Sequence, residues 1–324
     1  MSTKLVVRWT GVVEQARGGT KMDSRPGYES VRRTTRQEYE KRMRQVTDYV
    51  FEHLDEQLDL NRLAEIACMS PYHWHRVYQG LIGETLAATV KRLRLQRAAD
   101  SLANSTRSIQ SIARISGYSG VPAFNRAFKL AYNTTPFRYR DEGAHKKFRT
   151  GAGNQTGSTF AVEIRTINSE ELLVMPHVGD YLEIDRAFTG LVTALGGASV
   201  LPQSTRMIGV YFDDPDFTES AKLESLACVV RANAEPVTPA KPTEVPLVDA
   251  PLEAYTLPGG RCAMLRYEGP YADMQAAYSW LYGCWLVDSG YEADDRPVFE
   301  EYLNDPRSTH PTELLTDIYL PLCD

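Results

Sequence analysis

A chain of 324 residues has room for two or three domains, and its 43% apolar and 24% charged content is ordinary for a globular protein. No run approaches the roughly 18 unbroken apolar residues of a membrane span. No N-terminal secretion signal is legible, and five scattered cysteines without a CxxC pair fit a reducing cytoplasm better than a disulfide framework or a zinc site.

The net charge of -6 hides an asymmetry. Residues 1–150 carry 26 Lys and Arg against 15 Asp and Glu, whereas residues 151–324 carry 10 against 27. The first part suits a polyanionic partner and the second does not. Residues 1–35, rich in Arg, Gly, Ser and Thr without a sustained period, read as a flexible N-terminal extension. From Glu38 to about Tyr139 apolar residues recur three and four apart, which predicts an all-α domain over residues 36–144.

That domain repeats itself. Ala64-Glu-Ile-Ala-Cys-Met-Ser70 matches Ala113-Arg-Ile-Ser-Gly-Tyr-Ser119, and Trp74-His-Arg-Val-Tyr-Gln79 matches Phe124-Asn-Arg-Ala-Phe-Lys129. Each copy predicts a short helix, a turn and a second helix. Ser70 is placed to cap the second helix of the first copy, with Pro71 at its first position. That helix turns Tyr72, His73, His75 and Arg76 outward and keeps Trp74, Val77 and Tyr78 as its apolar side. Two such helix-turn-helix units suit insertion into DNA major grooves. The stretch between them, Thr85–Leu102, predicts a rod of about 26 Å that could hold both units on one duplex face. Its Lys91, Arg92, Arg94 and Arg97, with Arg138 and Arg140 after the second unit, are candidate phosphate contacts. His73 and His75 lack Cys or carboxylate partners at ligand spacing, so no metal is implied.

Ser70-Pro-Tyr-His-Trp-His-Arg-Val-Tyr78, Arg92-Leu-Arg-Leu-Gln-Arg-Ala-Ala99, Ile112-Ala-Arg-Ile-Ser-Gly-Tyr118 and Thr135-Pro-Phe-Arg-Tyr-Arg140 resemble the AraC/XylS transcriptional regulators. The resemblance covers about Arg36 to Arg140. It implies that Tyr72, His75 and Arg76 face bases or flanking phosphates. The matching second-unit positions include Asn125 and Arg126 beside the apolar Val121, Pro122 and Ala123. Double-stranded DNA is the partner implied, and RNA polymerase is a further partner such a regulator would meet.

Residues 145–158, a basic cluster followed by a Gly-rich run, read as a linker. Residues 159–324 predict an α+β domain made of a duplicated unit. Val178-Gly-Asp-Tyr181 matches Glu268-Gly-Pro-Tyr271, and Tyr211-Phe-Asp-Asp-Pro215 matches Tyr302-Leu-Asn-Asp-Pro306. β-like runs fall at Phe160–Ile167, Ala227–Val230 and Ala263–Tyr267, and a second, Pro-rich linker runs from Glu235 to Pro251. Two packed copies would leave a cleft at their junction, and the second copy supplies many aromatic residues. Alignment of Tyr211 with Tyr302 sets Gly209 against Glu300. By strand alternation Glu300 shares a face with Val298 and Tyr302, while Glu301 points the other way. A buried acid there needs a partner, and a ligand cation is one; a strand-edge carboxylate, or a pair with Arg296, is the other reading.

Tyr278-Ser-Trp-Leu-Tyr-Gly-Cys-Trp285, Arg296-Pro-Val-Phe-Glu-Glu-Tyr302 and Thr316-Asp-Ile-Tyr-Leu-Pro321 resemble the GyrI-like effector-binding domain over about Phe160 to Leu322. Joined to AraC-type units, this is a Rob-like architecture. It implies that Glu300 lies in a pocket for a small, cationic or aromatic effector, with Tyr302, Trp280 and Tyr271 as candidate contacts. Trp280 and Trp285, five apart, cannot share one helical face, so one of them belongs to the core. No cofactor and no membrane contact are implied. Two other readings stand: a C-terminal domain that docks a protein, and a GyrI-like hydrolase fused to a DNA-binding unit. The chain has no Gly-rich phosphate loop, GxSxG elbow or HExxH motif, so the reading as an enzyme rests on Glu300 alone.

Overall fold

In the computed structural model the residues described are 28–56, 58–142, 160–198, 201–202, 204–215, 217–230 and 252–323, with the side chains at 28–37, 60 and 72 left aside. The linker expected at 145–158, the Pro-rich run from Glu235 to Pro251 and most of the 1–35 extension lie outside them.

The described part opens with α1 (Tyr28–Glu52), α2 (Leu60–Ile66), α3 (Pro71–Ile82), α4 (Leu86–Asn104), α5 (Ile109–Ile115), α6 (Val121–Tyr132) and α7 (Pro136–Glu142). α1 begins ahead of Glu38 because its polar first turns carry no apolar stripe to announce them. Short polar side chains set the starts of α2 to α5. Asp59, Ser70, Thr85 and Ser108 each accept a hydrogen bond from a backbone N–H two or three residues on. The two units share their turn geometry. Met69 N–H donates to Ala64 O and Tyr118 N–H to Ala113 O, both at 2.9 Å. Cys68 and Gly117 hold the same left-handed position, at φ 52° and 72°.

Each unit has its own core, and α4 serves both. Leu86, Val90 and Leu93 enter the first, around Trp74 and Leu63. Leu95, Ala98, Ala99 and Leu102 enter the second, around Phe124 and Phe128. A 19-residue helix about 28 Å long thus joins the units rigidly.

The second half contains β1 (Val162–Ile167), β2 (Glu170–Val178), α8 (Asp185–Ala194), β3 (Arg206–Tyr211), β4 (Glu224–Val230), β5 (Glu253–Leu257), β6 (Gly260–Glu268), α9 (Met274–Trp280), β7 (Val298–Tyr302) and β8 (Leu315–Pro321). A single 3-10 turn leads into each helix, Tyr181–Glu183 before α8 and Tyr271–Asp273 before α9, and α9 runs on into a π-wound turn, Leu281–Leu286. All eight strands form one antiparallel sheet in the order β1-β6-β8-β7-β3-β4-β2-β5. Read from either end, the order is that of two equivalent four-strand sets that exchange their first strands. The duplication expected from sequence is therefore a pseudo-twofold whose axis passes between β7 and β3.

Side chains alternate across this sheet. One face, with Ile208, Val210, Cys262 and Phe299, curls around its own apolar core. The other packs under the helices, through Leu191 and Ala227 on the α8 side and Leu281 and Ile318 on the α9 side.

Gln37–Asp324 forms one compact unit, and polar contacts run along the join between its two halves. Tyr139 Oη donates to Asp273 Oδ1 at 2.8 Å. Ala198 N–H donates to Leu81 O at 2.8 Å, and Arg307 reaches Ile82 O. Arg186 pairs with Asp48 at 2.7 Å and Arg97 with Glu183 at 3.0 Å.

Candidate functional site

The pseudo-twofold axis runs through one residue pair. Gly209 and Glu300 are equivalent by the repeat and face each other directly across β3 and β7. Only one side chain fits on the axis. A Cβ at Gly209 would lie 2.8 Å from the hydroxyls of both Tyr211 and Tyr302. Gly in one copy is thus the condition for an acid in the other.

Glu300 is 6% exposed and faces the helices, as strand alternation predicts. Tyr278 Oη donates to its Oε1 at 2.7 Å, and Tyr302 Oη to its Oε2 at 2.9 Å, with Tyr211 Oη at 3.4 Å. The Tyr211 and Tyr302 hydroxyls lie 2.5 Å apart. Burial raises the Glu300 carboxyl above the usual glutamate value, and the three tyrosine hydroxyls oppose that rise. Among the described residues no cation pairs with it. Arg296 is engaged elsewhere, with Asp294 at 3.1 Å and the carbonyls of Gly259 and Leu322 at 2.6 and 2.9 Å. The reading that paired it with Glu300 is therefore corrected.

Around Glu300 lies a cleft of about 1190 Å³ between α8 and α9. Its aromatic walls follow the same symmetry. Tyr181 meets Tyr211 edge-on at 4.7 Å, and their counterparts Tyr271 and Tyr302 meet at 5.6 Å. Phe188, equivalent to Tyr278, meets Tyr302 at 5.5 Å. Among the described residues eight carboxylates line the cleft against three arginines. Each of those arginines already pairs with an acid: Arg92 with Glu84 and Asp185, Arg296 with Asp294, Arg307 with Asp305. Aromatic faces over a surplus of negative charge favour a cation.

Glu300, Tyr302 and Tyr271 come together in this cleft, but Trp280 does not. Its ring packs on Phe160 at 5.2 Å in the core beneath α9. Trp280 stands two residues after Tyr278, about 200° around the helix, and so points away from Glu300. Tyr211, Phe188 and Tyr278 were not singled out from sequence. The repeat offset that pairs Tyr211 with Tyr302 is the signal that could have found the first of them.

On the helical half, Arg76 and Arg126 are exposed in the second turns of α3 and α6, and His75 and Asn125 are half-buried beside them. Tyr72 lies in the first turn of α3, with its side chain outside the description. The second half meets the far end of α3, where the Leu81 and Ile82 carbonyls accept hydrogen bonds from it. Arg138 is exposed on α7 and pairs with Glu142 at 2.9 Å.

Arg92 is placed differently from the expectation. Its guanidinium is turned into the join, 2.6 Å from Glu84 and 3.3 Å from Asp185, with 16% of the side chain exposed. Arg94 likewise bonds the Leu54, Glu56 and Gly117 carbonyls, and Arg97 reaches Glu183. Of the four cations expected to grip phosphate from α4, Lys91 remains exposed without an ion pair among the described residues.

Among the described residues no helix is long and apolar enough to cross a membrane, and no group of His, Cys, Asp and Glu is arranged to hold a metal ion.

Residues 160–322 match the family described as GyrI-like small molecule binding domain, and residues 63–142 match a helix-turn-helix domain. The bifunctional transcriptional activator/DNA repair enzyme AdaA of Bacillus subtilis is 34% identical over 29% of this chain and 45% of its own length. The probable transcription factor PqrA of Proteus vulgaris is 35% identical over 28% of this chain and 73% of its own. The transcriptional regulator Rob of Salmonella typhimurium is 33% identical over 27% and 30%. The chain spans under half the length of AdaA and of Rob.

Proposed function

Because the chain belongs to the AraC/XylS family and carries a C-terminal GyrI-like small molecule binding domain, we propose that it is a DNA-binding transcriptional regulator governed by a cationic, aromatic effector. The effector sits in the cleft beside Glu300, against the rings of Tyr271 and Tyr302, with its charge against the carboxylate. Arg76, His75 and Tyr72 of α3 and Asn125 and Arg126 of α6 face the DNA, and Arg138 holds a phosphate beside them.

One observation carries the effector reading. Glu300 is buried on the axis and held by three hydroxyl donors, and among the described residues no cation pairs with it. A buried carboxylate without a counter-charge is costly, and a ligand cation removes that cost.

The test uses the full chain with an aromatic quaternary ammonium, benzyltrimethylammonium, and its uncharged carbon isostere, followed by tryptophan fluorescence and thermal shift. DNA sites recovered by binding selection are footprinted with and without the cation. Glu300→Gln should weaken the cation by more than about tenfold, leave the isostere unchanged and leave DNA binding intact. Equal affinity of wild type and variant for the cation would move the site away from Glu300. Loss of a substrate from a panel of reactive electrophiles on incubation, abolished by Glu300→Gln, would instead favour a hydrolase.

A further inference from the structure

The cleft is not confined to the sensing domain. Arg92, Gln96, Asp100 and Asn104 of α4 also line it. They stand four residues apart in succession, so they form one stripe along the helix. This is the helix that enters both helix-turn-helix cores on its other sides.

The four side chains differ in what they leave for a ligand. Arg92 is neutralised by Glu84 and Asp185. Gln96 donates to Leu182 O at 3.2 Å. Asp100 accepts a hydrogen bond from Asn104 at 2.7 Å and has no cation on it among the described residues. Its neighbours by charge are two more acids, Asp180 and Asp273, and burial together with them raises its carboxyl above the usual aspartate value. Asp180 also lines the cleft, where its side chain caps the turn at Leu182. A cation placed at this wall would meet Asp100 and Asp180, the two of these acids that line the cleft.

Volume points the same way. About 1190 Å³ exceeds the roughly 300–1,000 Å³ of most small-molecule sites. One aromatic cation over Glu300 leaves much of the cleft unfilled. The floor on the sheet and the wall on α4 offer two separate carboxylates to one occupant.

We propose that Asp100 is a second anchor for the effector, and that the cleft selects a molecule with two cationic centres, one over Glu300 and one at the α4 wall. This rests on the effector reading above and adds its specificity. Such a ligand touches the DNA-binding half directly, on the helix that joins its two units, so occupancy reaches the units without an intervening relay.

The experiment compares linear bis-trimethylammonium alkanes of graded length with mono-quaternary alkyl counterparts of matched length, by calorimetry on the full chain. One bis-cation of suitable length should bind more tightly than its mono-cation. Asp100→Asn should weaken that bis-cation about tenfold while changing the mono-cation by less than about twofold. The ratio controls for folding, because an intact mono-cation affinity reports an intact cleft. Asp100→Ser checks the same ratio with a smaller side chain. Amide exchange in α4 should slow with the bis-cation more than with the mono-cation. If both Asp100 variants leave the ratio at its wild-type value, or if α4 exchange responds equally to both ligands, the second anchor is wrong while the Glu300 reading stands. If Glu300→Gln leaves both ligands unaffected, the effector reading itself fails.

Discussion

Glu300 illustrates how much one buried acid constrains its surroundings. Its burial favours the neutral form, while Tyr278, Tyr302 and Tyr211 donate to the ionised one, and the outcome is a carboxyl above the usual value. The folded state therefore holds this proton more tightly than the unfolded chain does. By linkage, stability falls as pH rises from the ordinary glutamate value through the raised one, and the cost is fully present above it. A cation reverses this, because it binds the ionised form. Affinity for an aromatic quaternary ammonium should therefore rise with pH through a window lying above that of a solvent-exposed glutamate, and Glu300→Gln should flatten the profile. A profile unchanged by that substitution would assign the titration to another group. Much of this site was legible in the sequence, since the duplication set Gly209 against Glu300 and strand alternation set its face. The three hydroxyl donors were not legible as a set. Tyr211 reaches Glu300 only because β3 and β7 are neighbours in the sheet, and no local pattern announces that pairing.

At the scale of elements, the helix-turn-helix repeat was read from small residues and caps, and these are local signals. Ser70 with Pro71, and Ala64 with Ala113, specify a turn and a close helix crossing without help from distant residues. Cys68 and Gly117 mark the same left-handed turn position, although only glycine adopts it without cost. Helix faces were harder to assign. The resemblance to the GyrI-like domain implied Trp280 for the cleft, but the phase of the helix gives that place to Tyr278. The first two turns of α3 and α6 carry the DNA prediction. Arg76→Ala should cost about 1–3 kcal/mol on a selected site and little on random duplex if the guanidinium reads a base edge. Fluorescence anisotropy on both duplexes across a salt series distinguishes the roles. Equal losses on both, with the salt slope lowered by about one, would make Arg76 a phosphate contact.

Over the whole molecule, the cleft and the two helix-turn-helix units share structural parts. The turn Tyr271–Asp273 shows this within three residues: Tyr271 lines the cleft, Ala272 is buried in the second helix-turn-helix core, and Asp273 accepts from Tyr139. Arg92 shows it for charge. A helix rich in arginine beside a DNA-binding motif reads as a phosphate grip, and its true partner, Asp185, lies 93 positions away, beyond any local pattern. The two ion pairs that α4 makes with the sensing half differ in burial, and burial sets their strength. Arg97 and Glu183 are 33% and 36% exposed, whereas Arg92 and Asp185 are 16% and 23% exposed. Removing one partner of a buried pair strands the other charge, which costs far more than losing a solvated pair. Arg92→Ala should therefore lower unfolding stability by about 3 kcal/mol, and Arg97→Ala by less than about 1 kcal/mol, both from urea titrations of the full chain. The same Arg92 variant, measured where it remains folded, should keep the wild-type salt slope of DNA binding, since a guanidinium spent on Glu84 and Asp185 releases no counterion from phosphate. A slope lowered by about one, together with a small loss of stability, would show that α4 turns Arg92 toward the duplex, and that the join between the halves is held by other contacts.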